Sequence, residues 1–94
     1  MKYNGFTNVL TWAVMSAIDN NRAEYDHWHE IAEDLLTETK NRKDAVRRLA
    51  DEIKDHFAWS MNREDDVLTG ELIRAAASEI NYTEIADSII DDIE

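Results

Sequence analysis

The chain has no cysteine, no proline and only two glycines, Gly5 and Gly70, in 94 residues. Without cysteine there is neither a disulfide framework nor thiolate chemistry, so nothing ties the protein to an oxidising compartment. Without proline, and with glycine at two places only, almost nothing interrupts helix. Bases are scarce as well: 10 Lys and Arg stand against 21 Asp and Glu, a formal charge of −11. Such a surface repels nucleic acid and anionic membranes, so a charged partner has to present a basic face. No apolar run approaches the roughly 20 residues that cross a bilayer, and Lys2, Tyr3, Asn4 and Gly5 do not open a signal peptide. The expected location is the cytoplasm.

What is present is apolar spacing of three and four nearly throughout, which predicts an all-α fold. At this length it makes one domain, residues 1–94, a compact bundle of four to five short helices. The first helix is expected to start after Thr7 or Asn8 and run to about Ile18. Val9, Leu10, Trp12, Ala13, Val14, Met15, Ala17 and Ile18 leave it little polar face, which marks it as the central, most buried helix. Asn21 and Glu24 have capping-box spacing and open a second helix to about Thr39, with Tyr25, Trp28, Ile31, Ala32, Leu35 and Leu36 on its apolar side. Asn41 caps a third, burying Val46, Leu49, Ala50, Ile53 and Phe57, with Arg47–Asp51 and Arg48–Glu52 as surface pairs four apart. A fourth begins near Glu64, Asp65 and Asp66 or at Thr69 and runs to about Ile80. Asn81 and Glu84 repeat the capping-box spacing and open the last, striped by Tyr82, Ile85, Ala86, Ile89, Ile90 and Ile93.

Charge is unevenly placed. From Glu64 onward ten carboxylates face the single base Arg74, whereas residues 40–63 carry a net charge of +3. Acidic residues on amphipathic helices form a fixed array, unlike those of a disordered acidic tail. Two rows stand out: Glu84, Asp87, Asp91 and Glu94 at steps of three and four, and Asp26, Glu30, Asp34 and Glu38 at steps of four. Four residues of helix rise about 6 Å, comparable to phosphate spacing along a nucleic-acid strand. These eight residues, with Asp65 and Asp66, are the expected partner-binding residues. An unrelieved row of like charges costs an isolated helix a few tenths of a kcal/mol per pair.

Other chemistry is poorly supported. His27 and His29, two apart on a helix, point about 160° from each other and cannot share an ion, so they read as surface histidines flanking a buried Trp28 rather than a metal site. Ser16, Ser60, Ser78 and Ser88 lie in ordinary helical sequence without a nucleophile elbow or oxyanion loop. Exposed carboxylates lack the burial that separates a catalytic acid from its base. The chain therefore reads as a non-enzyme that needs no cofactor. Trp12, Trp28 and Phe57 fit the core stripes. Trp59 and Met61 follow out of phase and, with Tyr3 and Phe6, are candidates for an exposed apolar contact surface.

The run Tyr3-Asn4-Gly5-Phe6-Thr7-Asn8, then Thr11-Trp12, Val14 and Ile18-Asp19-Asn20, resembles a family of small acidic proteins from phages and other mobile elements. Ser78-Glu79-Ile80-Asn81-Tyr82, then Glu84-Ile85-Ala86, resembles the end of the same family. The resemblance covers the two ends and implies genomic context more than chemistry. By analogy with small acidic phage proteins that inhibit host defence, it points to an anti-CRISPR or anti-restriction inhibitor imitating DNA. The expected partner is the basic surface of a nucleic-acid-binding host complex, a CRISPR effector in the favoured case, engaged by a monomer or homodimer. The rival reading is a regulatory protein of the mobile element that binds a protein partner, or itself, through the apolar surface. Direct nucleic-acid binding by the basic third helix is a weaker third, opposed by the flanking acidity.

Overall fold

A computed structural model describes residues 5–61 and 67–94, with side chains for all of these except 58–61, 67–70 and 73. Five helices follow in order: α1 (Val9–Asn20), α2 (Arg22–Glu38), α3 (Arg42–Met61), α4 (Val67–Ala77) and α5 (Tyr82–Ile93). The protein is an all-α bundle, as the apolar spacing predicts.

Asparagine starts four of these helices. The Oδ1 atoms of Asn8, Asn21, Asn41 and Asn81 accept from the backbone N–H three residues on, at Thr11 (2.9 Å), Glu24 (3.1 Å), Asp44 (2.8 Å) and Glu84 (3.0 Å). Each bond satisfies a donor that has no partner within its helix. The reciprocal half of the two expected capping boxes is diverted. Glu24 instead accepts from Trp28 Nε1 at 2.9 Å, and Glu84 accepts from Thr7. The fourth helix stops at Ala77, three residues short of expectation. There the N–H groups of Glu79 and Ile80 donate to the carbonyls of Ala76 and Ala77, three residues back, and the tightened turn ends the helix.

The core comprises Met15 and Ile18 of α1, Trp28 and Ala32 of α2, Ala45, Val46, Leu49, Ala50 and Ile53 of α3, and Ile85, Ala86, Ile89 and Ile90 of α5. The helices that pack on three others are α2, α3 and α5, whereas α1 packs mainly on α2 and α5. This corrects the expectation for α1. Only Thr11, Met15 and Ile18 of that helix are buried, while Val9 is 50% exposed and Ala13 and Ala17 face out. Small apolar residues on its outer side mimic a fully buried helix in composition without being covered. Trp12 is half-buried rather than core, and Phe57 packs at the core's margin. Phe6 follows Gly5, whose φ of +90° suits glycine, and packs on the core instead of standing exposed. Tyr3, Asp65 and Asp66 lie outside the described residues, as do the side chains of Trp59 and Met61.

Candidate functional site

The two carboxylate rows have different surroundings. In α5, Arg42 from the first turn of α3 reaches across and gathers the row. Its Nη2 donates to Asp87 Oδ1 at 2.6 Å and Asp91 Oδ1 at 2.7 Å, and its Nη1 donates to Glu94. These bonds, with Asp87 contributing most, hold the guanidinium pKa above its ordinary value. Glu84, the fourth member, accepts from the backbone N–H of Thr7 at 2.6 Å and from its hydroxyl at 2.8 Å. All four carboxylates of this row are therefore engaged within the fold, clamping α5 to α3 and to the N-terminal segment.

Thr7 belongs to a wider junction. Asn8 Nδ2 donates to the Glu79 carbonyl at 2.7 Å, and Asn81 Nδ2 donates to Thr7 Oγ1 at 3.4 Å. Thr11, fully buried, donates its hydroxyl proton to Asn8 Oδ1 at 2.8 Å and accepts the Asn81 backbone N–H at 2.9 Å. Residues 7–11 and 79–84, about 70 residues apart in sequence, thus meet in one hydrogen-bonded knot whose polar side chains cap α1 and α5 together.

The α2 row is differently placed. Asp26, Glu30, Asp34 and Glu38 are all exposed. Asp26 lies 3.6 Å from Arg22, a pair in which both side chains are mostly in water. Among the described residues no hydrogen bond or ion pair engages the carboxylates of Glu30, Asp34 or Glu38. Glu33 widens the same face and, with Asp26, Glu30, Tyr25, His29, Asp92 and Ile93, lines an open depression of about 470 Å³.

At that depression the histidines depart from the expected pair. Trp28 is buried and His27 exposed, but His29 is tucked between α2 and α5 with a side chain 13% exposed. Its ring stacks on Tyr25 with centroids 3.8 Å apart, Nδ1 lies 2.8 Å from the Tyr25 carbonyl and Nε2 3.1 Å from Asp92 Oδ2. The Tyr25 hydroxyl donates to the same Asp92 oxygen at 2.9 Å. The bonds from Tyr25 and then His29 lower the Asp92 pKa, and the bond to Asp92 raises that of Tyr25. Asp19 on α1 has its pKa raised by burial and by the charge of Asp92, against a lowering influence from His29. Among the described residues no group of three or more His, Asp and Glu is arranged to hold a metal ion.

On α3, Arg47 reaches back to Asp44 at 3.6 Å instead of pairing with Asp51, and no Arg48–Glu52 pair forms. Exposed pairs of this kind contribute little, so sequence spacing does not fix which forms. Arg42 escaped the sequence reading, though it left a signal. Ala45 and Val46 stand three and four residues beyond it, so it has no partner on its own helix, while the α5 row needed a counter-ion. Nothing local marks the Tyr25–His29–Asp92 cluster, which depends on how α2 and α5 pack. Comparison of the chain with protein-family models, curated proteins and solved structures gives no match. Among the described residues no helix is long and apolar enough to cross a membrane.

Proposed function

We propose that this chain is an acidic inhibitor that occupies the nucleic-acid-binding surface of a host-defence complex, a CRISPR effector in the favoured case, in the cytoplasm of an infected cell. The observation that carries the reading is the α2 row: Asp26, Glu30, Asp34 and Glu38 on one exposed face of a 17-residue helix, with one loosely paired base, Arg22, at its start. Carboxylates left to solvent are available to lysine and arginine side chains of a partner through charge-assisted hydrogen bonds, and a net negative field hastens encounter. The α5 row is the weaker half of the original pair, since its carboxylates already hold Arg42 and Thr7. The proposed contact is therefore α2 with the adjoining Glu33. No cofactor takes part and no reaction is catalysed.

The test is charge reversal. Asp26→Lys, Glu30→Lys and Asp34→Lys combined should leave the helix formed, since lysine is a good helix former at exposed positions. The variant should no longer block target-DNA binding by the effector, and wild-type inhibition should weaken steeply with added salt. A folded triple variant that inhibits like wild type defeats the proposal. That result favours the second reading, a regulatory protein using an apolar contact, for which Leu72, 63% exposed on α4, is the supporting observation.

A further inference from the structure

The fourth helix leaves apolar surface uncovered. It has 11 residues, Val67–Ala77, and packs chiefly on α3. Helices this short are marginal in water unless they bury an apolar face. Yet Leu72 is 63% exposed, and Ala75 and Ala76, three and four residues on and therefore on the same face, are exposed with it. Charge there is also unlike the rest of the protein. Residues 67–77 hold one acid, Glu71, and one base, Arg74, and are neutral overall in a chain of charge −11. Both side chains are exposed, and among the described residues neither has an ion-pair partner.

We propose that α4 is the contact through which two copies of this chain pair, antiparallel about a two-fold axis that crosses the helix between Leu72 and Ala75. Self-complementarity names a second copy as the occupant. A two-fold contact presents the same patch from both sides, so residue i meets j and j meets i. With the axis at that place, Leu72 of each copy lies against Ala75 of the other, a large side chain over a small one. Glu71 and Arg74 share one flank of the apolar stripe, and each comes within reach of its opposite on the other copy, which makes two ion pairs. The acidic faces cannot serve for pairing, because two chains of charge −11 repel wherever their carboxylates meet. A helix of 11 residues rises roughly 16 Å, so the contact falls below the roughly 1,200 Å² at which specific interfaces become stable, and the pair is weak and reversible. It does not rest on the α2 reading, since no residue of α2 takes part.

Sedimentation equilibrium of the full chain from about 10 µM to about 1 mM, at roughly 0.15 and 0.5 M salt, tests this. The expected result is a mass that climbs from that of one chain toward that of two. It should climb further at high salt, because screening weakens the repulsion between the copies while the apolar contact persists. That response is opposite to the one expected of α2 with a cationic partner. Leu72→Gln, uncharged and at an exposed helical position, should weaken association about tenfold. Arg74→Glu alone should also weaken it, and adding Glu71→Arg, which returns the net charge to that of wild type, should restore it. A chain that stays monomeric at every concentration overturns the proposal, as does association that Leu72→Gln leaves unchanged or a double reversal no tighter than Arg74→Glu. Amide NMR of wild type needs no variant: shifts should move with concentration at Glu71, Leu72, Arg74, Ala75 and Ala76 and stay fixed along α2, and any other pattern overturns the assignment to α4.

Discussion

Thr11 offers the sharpest test of how the chain is held together, because replacing one group separates hydrogen bonding from burial. Thr11→Val keeps the shape and replaces a hydroxyl with a methyl in a fully buried site. If apolar burial governs the position, the variant gains stability. The knot predicts the opposite. The Thr11 hydroxyl is the acceptor for the Asn81 backbone N–H at 2.9 Å, and valine leaves that donor without a partner at the start of α5. An unsatisfied donor costs about 1–3 kcal/mol. Asn8 Oδ1 loses the hydroxyl but keeps the Thr11 backbone N–H at 2.9 Å, so no second penalty arises. Thr11→Ser keeps the hydroxyl and deletes one methyl, for about 1 kcal/mol. In a domain of this size each kcal/mol moves Tm by about 4–8 °C, so Thr11→Val should melt roughly 4–24 °C below wild type. Urea unfolding followed by far-UV circular dichroism, with unchanged m-values, gives the comparison. A valine variant as stable as wild type, or more stable, refutes the argument.

Trp28→Ala should cost about 3–5 kcal/mol, since the indole is 1% exposed and its N–H is bonded to Glu24; Trp12→Ala, at a half-buried ring, should cost less by the same urea assay. Arg42→Gln should destabilise the chain, and the loss should shrink in high salt, because like-charged Asp87, Asp91 and Glu94 are left facing one another. Acid unfolding should show the Asp92 contribution: its lowered pKa means stability present above the usual carboxylate range and lost as pH falls through the lowered value, and Asp92→Asn should flatten that part of the profile.

Much of the fold was legible because helix starts and apolar stripes are local. Asn21, Asn41 and Asn81 announce their helices by residue type and spacing, and the α5 stripe of Ile85, Ile89 and Ile90 is the stripe that is buried. What was misread depended on partners. The apolar excess of α1 marked it as central, but which helices are surrounded is decided by packing, and α2, α3 and α5 each touch three neighbours where α1 packs mainly on two. Glu24 and Glu84 have the right spacing for a capping box, yet a buried indole and a threonine from the other end of the chain compete for them and win. The candidate site shows the same division. Spacing shows that carboxylates lie in a row, but whether the row is spent internally is settled by Arg42, a residue of another helix.

That division yields a prediction with opposite signs for the same kind of change. The α5 row is relieved by Arg42, whereas Glu30, Asp34 and Glu38 have no cation among the described residues and Asp26 only an exposed one. Like charges four apart destabilise a helix by a few tenths of a kcal/mol per pair. Glu30→Gln with Asp34→Asn removes the three adjacent repulsions along α2, so the free chain should gain about 1 kcal/mol in total at low ionic strength. Asp87→Asn with Asp91→Asn takes attractive partners from Arg42 and should destabilise. Salt should erase the first effect and weaken the second, because both are Coulombic. A chain that keeps a self-repelling row holds free energy that a cationic partner returns on binding, so a short oligo-arginine peptide should raise the Tm of wild type more than that of the α2 double variant. Equal shifts for the two proteins, or a destabilised α2 variant, would mean that the row is already neutralised within the fold, and the case for a partner on α2 would fall with it.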